Sequence, residues 1–412
     1  MLLLPKDKME KIFLTLLLLL VFIRSMNLGF GYPNVESMLG FASFLPQKIM
    51  QAIIFMSILI YLPLYFERVK SLKLVSATTV FLSVVIFLSL LFTEHKILTL
   101  RYILSFITPL FIVYVYLNNY GSKSLLSVLV TLVCSLVIIN FIYIIIFPYY
   151  GIMGANHAGA FRGMFLHKNI YGAFCVYSSI LFMFAYKTSG FKFKKAYVIL
   201  YVLSFVGVLK CQSTTSLVLF LLAFLCFIFF YFFRFMLKDT LKVVCYFSFL
   251  ITIIFLSVIL SVFYEEITYA LGKDPTLTGR TELWETLFYV AQNKPIYGHG
   301  LGLFQRPEIM HQYSLDFGWV AKSAHNSYLD LLLGIGWFGL LAFLKPLLEK
   351  IFIFPFVKHN SYRVFSCTVI VTTLCFSFSE SGALMSTSFN WIILFISVVI
   401  FKFDTSFKFK LH

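Results

Sequence analysis

Charge is what this chain has least of. Only 12% of its 412 residues are charged, and acids are the rarer sign, 17 against 33 Lys and Arg. A soluble protein needs about twice that share to cover its surface, so a soluble globular fold is excluded. Paired cysteines are also missing. Cys134, Cys175, Cys211, Cys226, Cys245, Cys367 and Cys375 are odd in number, form no C-x-x-C and lie in or beside apolar runs. They are expected to be small buried hydrophobes, not a disulfide framework. His299, His311 and His325 are 12 and 14 residues apart with no H-E-x-x-H, so no metal site is expected. There is no nucleophile elbow for a Ser/His/Asp site and no internal repeat or inverted symmetry of the transporter kind. Zinc-finger, helix-turn-helix and aromatic-basic RNA modules are absent too, which argues against nucleic acid as a partner.

What remains is hydrophobic. Apolar residues make up 60% of the chain, 51 of them Phe, and the mean hydropathy is +0.93. A helix crossing a bilayer needs about 20 apolar residues. Twelve such runs are expected at 12–24, 48–66, 74–92, 99–117, 125–147, 169–186, 196–210, 214–233, 242–263, 326–344, 364–379 and 388–401. The fold class is therefore an all-α polytopic membrane protein, a single integral membrane domain over 1–412 in contact with membrane lipids. Lys6, Lys8 and Lys11 precede the first run without a small-residue cleavage site after it, which reads as an uncleaved first helix. With both termini cytoplasmic, the inside segments hold 21 of the 33 basic residues and the short outside ones hold 7, the long loop contributing five more. The formal charge of +16 thus reflects topology before it reflects any partner.

That topology sends four polar segments to one external face: 148–168, 210–216, 377–382 and, longest, 264–325 between the ninth and tenth runs. Within the last, Leu283, Trp284, Leu287, Phe288 and Ala291 recur at helical spacing, and Thr281 is placed to cap their helix. Gly298, Gly300 and Gly302 make a pliable stretch, weak as a phosphate loop because no strand precedes it. Glu380 is the single acid of its segment.

Arg280 follows a glycine at the start of that helix. Its fork of donors suits a phosphate, and the helix N-terminus favours the same anion; pairing with Glu282 or Glu285 is the plainer alternative. Arg162, His167 and Lys168 crowd a membrane entry, suited either to an anion or to lipid headgroups. His325 stands where the polar loop enters a helix, beside Asn326, and an imidazole there is able to take a proton from a hydroxyl.

Four motifs carry a resemblance. Phe161-Arg162-Gly163-Met164-Phe165-Leu166-His167-Lys168-Asn169, Leu277-Thr278-Gly279-Arg280-Thr281-Glu282-Leu283-Trp284, Gly298-His299-Gly300-Leu301-Gly302 and Ala324-His325-Asn326-Ser327-Tyr328-Leu329 resemble the bacterial O-antigen ligase and polysaccharide polymerase superfamily. The resemblance implies a GT-C-type fold in the inner membrane, a periplasmic active site, and no metal or cofactor. The implied donor is an undecaprenyl-pyrophosphate-linked glycan, the acceptor a glycan or lipid A–core, and a chain-length regulator a further partner. It implies catalytic roles for His325, Arg280 and Arg162, and substrate binding by His167, Lys168, Asn169, Gly279, Glu282, Trp284, His299 and Asn326. Many members carry Ser-Arg-Thr where this chain has Ser213-Thr214-Thr215, which leaves Lys210 as the nearby cation. A polymerase of repeat units is the expectation, an O-antigen or protein ligase the alternative. A lipid-linked oligosaccharide flippase is the alternative of another class, but it calls for charges inside the spans.

Overall fold

The computed structural model describes residues 6–29, 45–70, 77–154, 157–188, 190–233, 239–263, 266, 269, 280–317 and 323–401. The described chain is helical, with two isolated bridges, Leu28 to Phe165 and Ile152 to Phe161. In order come α1 (Lys6–Ser25), α2 (Leu45–Leu64), α3 (Ala77–Phe92), α4 (Lys96–Ile146), α5 (Lys168–Lys187), α6 (Lys194–Lys210), α7 (Thr214–Phe233) and α8 (Asp239–Val262). After these come α9 (Arg280–Asn293), α10 (Pro307–Phe317), α11 (Ser327–Ile353), α12 (Ser361–Phe376) and α13 (Phe389–Ile400).

A helix stands on every expected apolar run. The fourth and fifth runs form the single element α4, broken at Gly121, where φ is 78° and ψ 167°. The tenth run is longer than expected and carries Lys350 inside its helix. Among the described residues, five helical segments are long and apolar enough to cross a membrane, and four shorter apolar ones accompany them.

The centre of the bundle is α5, buried along nearly all of Tyr171 to Ala185 and packed among α4, α6, α7, α12 and α13. Apolar side chains cannot hold helices together against lipid tails, which are as apolar as they are, so hydroxyls and close fit matter more. Ser366 Oγ bonds Ser397 O at 2.7 Å, and Tyr177 Oη meets Thr373 Oγ1 at 2.8 Å. The outer faces are greasy: Ile251, Ile254 and Phe255 on α8 and Ile53 and Met56 on α2 are exposed, as lipid-facing positions should be.

The 294–306 segment is built into α11. That helix breaks at Gly336 (φ 66°), and the carbonyls freed by the break are met by the loop. His299 N donates to Leu333 O at 2.6 Å, Gly300 N to Gly334 O at 3.1 Å, and Trp337 N to Pro295 O at 2.8 Å. Buried backbone groups need partners, and here a loop does what the helix does not. The glycines serve close approach rather than pliability: a Cβ at Gly298 would stand 2.6 Å from Gly334 C. A Cβ at Gly336 would stand 2.4 Å from Ile296 O at a φ that disfavours any side chain. Gly336→Ala is therefore expected to cost at least ~1–3 kcal/mol, read as a lowered thermal midpoint of the detergent-solubilised protein. An unchanged midpoint would show that the break is not needed.

Candidate active site

Three chain segments far apart in sequence meet at Glu380, in the turn between α12 and α13. Arg280, the first residue of α9, puts Nη2 3.8 Å from Glu380 Oε1 and donates from Nη1 to Ser379 O at 2.9 Å. His325 puts Nδ1 3.7 Å from Glu380 Oε2. Asn169, in the first turn of α5, donates from Nδ2 to Oε1 at 3.1 Å. The carboxylate thus spans a guanidinium, an imidazole and an amide. Arg280 turns to the far acid, not to Glu282, which lies exposed on the first turn of α9.

Local structure explains the placement. Leu283, Leu287 and Ala291 bury one face of α9 on the bundle, chiefly against α11, and this directs its N-terminus at the 379–381 turn. Thr281, expected to cap this helix, has a helical backbone, which puts it inside the helix and not at the cap position. Trp284 Nε1 donates to Ala324 O at 2.6 Å, tying α9 to the residue before His325. Asn326 caps α11, accepting from Tyr328 N and Leu329 N at 3.0 and 3.1 Å, and its own N–H meets Ser381 Oγ at 3.2 Å. Ser327 Oγ donates to Glu380 O at 2.8 Å. Between these anchors His325 is held at φ 50°, a left-handed conformation uncommon for any residue but glycine. Such strain persists only where the surroundings over-determine it.

His167 caps α5, its Nδ1 accepting from Asn169 N at 3.2 Å, and its ring meets His157 edge to face at 5.7 Å. Arg162 is buried, with Nε donating to Tyr150 O at 2.8 Å, on the segment that leads into that cap. Lys168 Nζ reaches Gln212 O at 3.4 Å, and Lys210 O accepts from Phe161 N at 2.9 Å, so the 210–216 turn joins the same end of the bundle. His299 belongs elsewhere. Its Nε2 meets Val290 O at 2.9 Å, and its carbonyl accepts from Thr93 Oγ1 and Arg306 Nη2. Burial lowers its pKa, with Lys294 and Arg306 adding to that against the bond to Val290 O, and the ring braces the inserted loop. Gly279 lies outside the described residues.

Glu380 itself had no role assigned from sequence; the one hint is an acid inside the Ser379-Glu380-Ser381-Gly382 turn. Burial pushes its carboxyl up, but the His325 ring and the charges of Arg280 and His167 outweigh this and hold it below the ordinary 4.5. A carboxylate lowered by folding contributes stability that is fully present above the unfolded value and lost as pH falls through the folded one. The wild type is accordingly expected to lose thermal stability as pH drops below about 4.5, and Glu380→Gln to lose less. Melting curves that stay parallel across pH 7 to 3.5 would remove the carboxylate from the account.

Two cavities flank this node. An apolar groove of about 1040 Å³ runs between α8, α9, α11 and α12, with Trp284, Phe288 and Tyr328 at its upper end. A chamber of about 320 Å³ lies on the opposite face of α11 and includes Glu380 and Asn169 in its wall.

No curated protein and no solved structure matches the chain. The matching family is the O-antigen ligase, over residues 199–344. The match contains Arg280, His299 and His325, while Arg162, Asn169 and Glu380 fall outside it. Residues 199–344 thus match the O-antigen ligase family, which supports the resemblance to the O-antigen ligase and polymerase superfamily.

Proposed function

We propose that the protein is an inner-membrane glycosyltransferase that joins undecaprenyl-pyrophosphate-linked repeat units into a surface polysaccharide, by inverting transfer at the periplasmic face. Twelve crossings with both termini inside and a GT-C-type arrangement form part of this reading. The observation that carries it is the meeting of Arg280 and His325 at one carboxylate, 3.8 and 3.7 Å away.

The chemistry divides between the two side chains. Arg280, joined by Arg162 along the adjoining segment, stabilises the charge that develops as the anomeric carbon–oxygen bond to pyrophosphate breaks. His325 takes the proton from the acceptor hydroxyl as its oxygen bonds to that carbon from the opposite side. Glu380, 3.7 Å from Nδ1, orients the ring for this step. The apolar groove ending at Trp284 and Tyr328 offers an apolar bed for a prenyl chain.

The family description favours a second reading, transfer of the finished glycan to lipid A–core. A deletion strain examined on a glycan gel separates the two. A single repeat unit on lipid A–core marks a lost polymerase. Long lipid-linked chains beside bare core mark a lost ligase, and an unchanged glycan profile would exclude both.

A further inference from the structure

The two cavities differ in chemistry as well as in size. Helix α11 turns Tyr328, Leu329 and Leu332 to the groove and Asp330, Leu331 and Leu333 to the chamber. The turn after α12 repeats the division, with Phe378 on the groove side and Glu380 and Ser381 on the chamber side. Glu380 therefore stands in the wall of a mixed room, where polar groups are set among apolar side chains, with His325 Nδ1 3.7 Å from its carboxylate.

The room presents the carboxylates of Asp330 and Glu380, the amides of Asn27, Asn169 and Asn390, and the ring of Tyr102. Asp330 Oδ1 is fixed by the Ala324 N–H at 3.2 Å, one residue from His325. Carboxylates and amides accept and donate in pairs, the pattern that vicinal hydroxyls match, and an aromatic ring offers an apolar face. At 320 Å³ the chamber is near the lower end of ligand sites, which run from about 300 to 1,000 Å³. It suits a sugar ring rather than a whole repeat unit. An acidic ring would bring its carboxylate beside Asp330, a like-charge encounter that disfavours binding.

We propose that this chamber is the subsite for the terminal sugar of the acceptor, and that Asp330 makes it select a neutral or amino sugar over a uronic acid. The proposal rests on the glycosyltransferase reading and adds which sugar class the site accepts and from which side.

The test uses the full-length protein in nanodiscs and the methyl glycosides of glucose, N-acetylglucosamine, glucosamine and glucuronic acid, followed by saturation-transfer NMR titration. Saturable binding of the first three is expected, at least about tenfold tighter than the glucuronide. Asp330→Asn keeps an oxygen for the Ala324 N–H and is expected to shrink that ratio below about threefold. Asn390→Ala is expected to weaken all four glycosides while leaving thermal unfolding cooperative. Glucuronide binding equal to that of glucose overturns the proposal. So do affinities unmoved by either substitution in cooperatively melting protein, or saturable binding by none of the four. Because no turnover is read, these outcomes are separate from those of the deletion strain, whose unchanged glycan profile would instead remove the enzymatic reading.

Discussion

Arg280→Ala is expected to lower glycan transfer by about 10²–10³-fold while the protein inserts and accumulates as before. The guanidinium faces two ways, with one nitrogen on Ser379 O and the other toward Glu380. On the proposed reading, removing it takes away the charge aimed at the departing pyrophosphate, and it leaves the half-buried Glu380 carboxylate with one cation fewer. Arg280→Lys separates these effects. An ammonium keeps the charge but not the planar fork, so transfer should fall between wild type and alanine, nearer the latter. The measurement is polysaccharide chain length on a gel, normalised to membrane protein level. Wild-type chain length from the alanine variant would take Arg280 out of the reaction.

His325 carries the second large effect. Loss of a positioned base costs about 10²–10⁴-fold, and that loss is expected for His325→Ala. Alanine at φ 50° is strained as the native histidine is, so activity alone would not distinguish chemistry from folding. Asparagine visits this backbone region more readily than most residues and makes the sharper probe. His325→Asn should melt near the wild-type temperature yet transfer no sugar. Retained transfer by the asparagine variant would show that the proton leaves by another route. Glu380→Gln is expected to fall between the two, since an amide does not favour the imidazolium as a carboxylate does.

How much of this was legible in the chain depends on distance along it. The span expected at 214–233 coincides with α7, and that at 169–186 differs from α5 by one residue at each end. Local apolar density is enough for that, because in a bilayer each helix satisfies its own backbone. Arg280 and His325 also stood out as candidates, through residue chemistry and through the motifs around them. Glu380 was not. It lies 211 positions from Asn169, and nothing in its own turn records that α5, α9 and the 323–327 corner will aim at it. The insertion at Gly336 was hidden for the same reason. A glycine within an apolar run looks like a small packing residue until another segment is seen taking its neighbours' carbonyls.

By itself, the sequence determined that this is a helical membrane protein, roughly where its helices begin and end, and which of its few charges are candidates for chemistry. Length and hydrophobicity are properties of a segment and need no partner. Only the tertiary structure decided which charges meet, that α11 is broken and braced by a loop, and that a chamber of mixed lining and an apolar groove lie on opposite faces of α11. Those depend on helix crossings and register, which place side chains together across hundreds of residues and are set by close packing rather than by any local pattern.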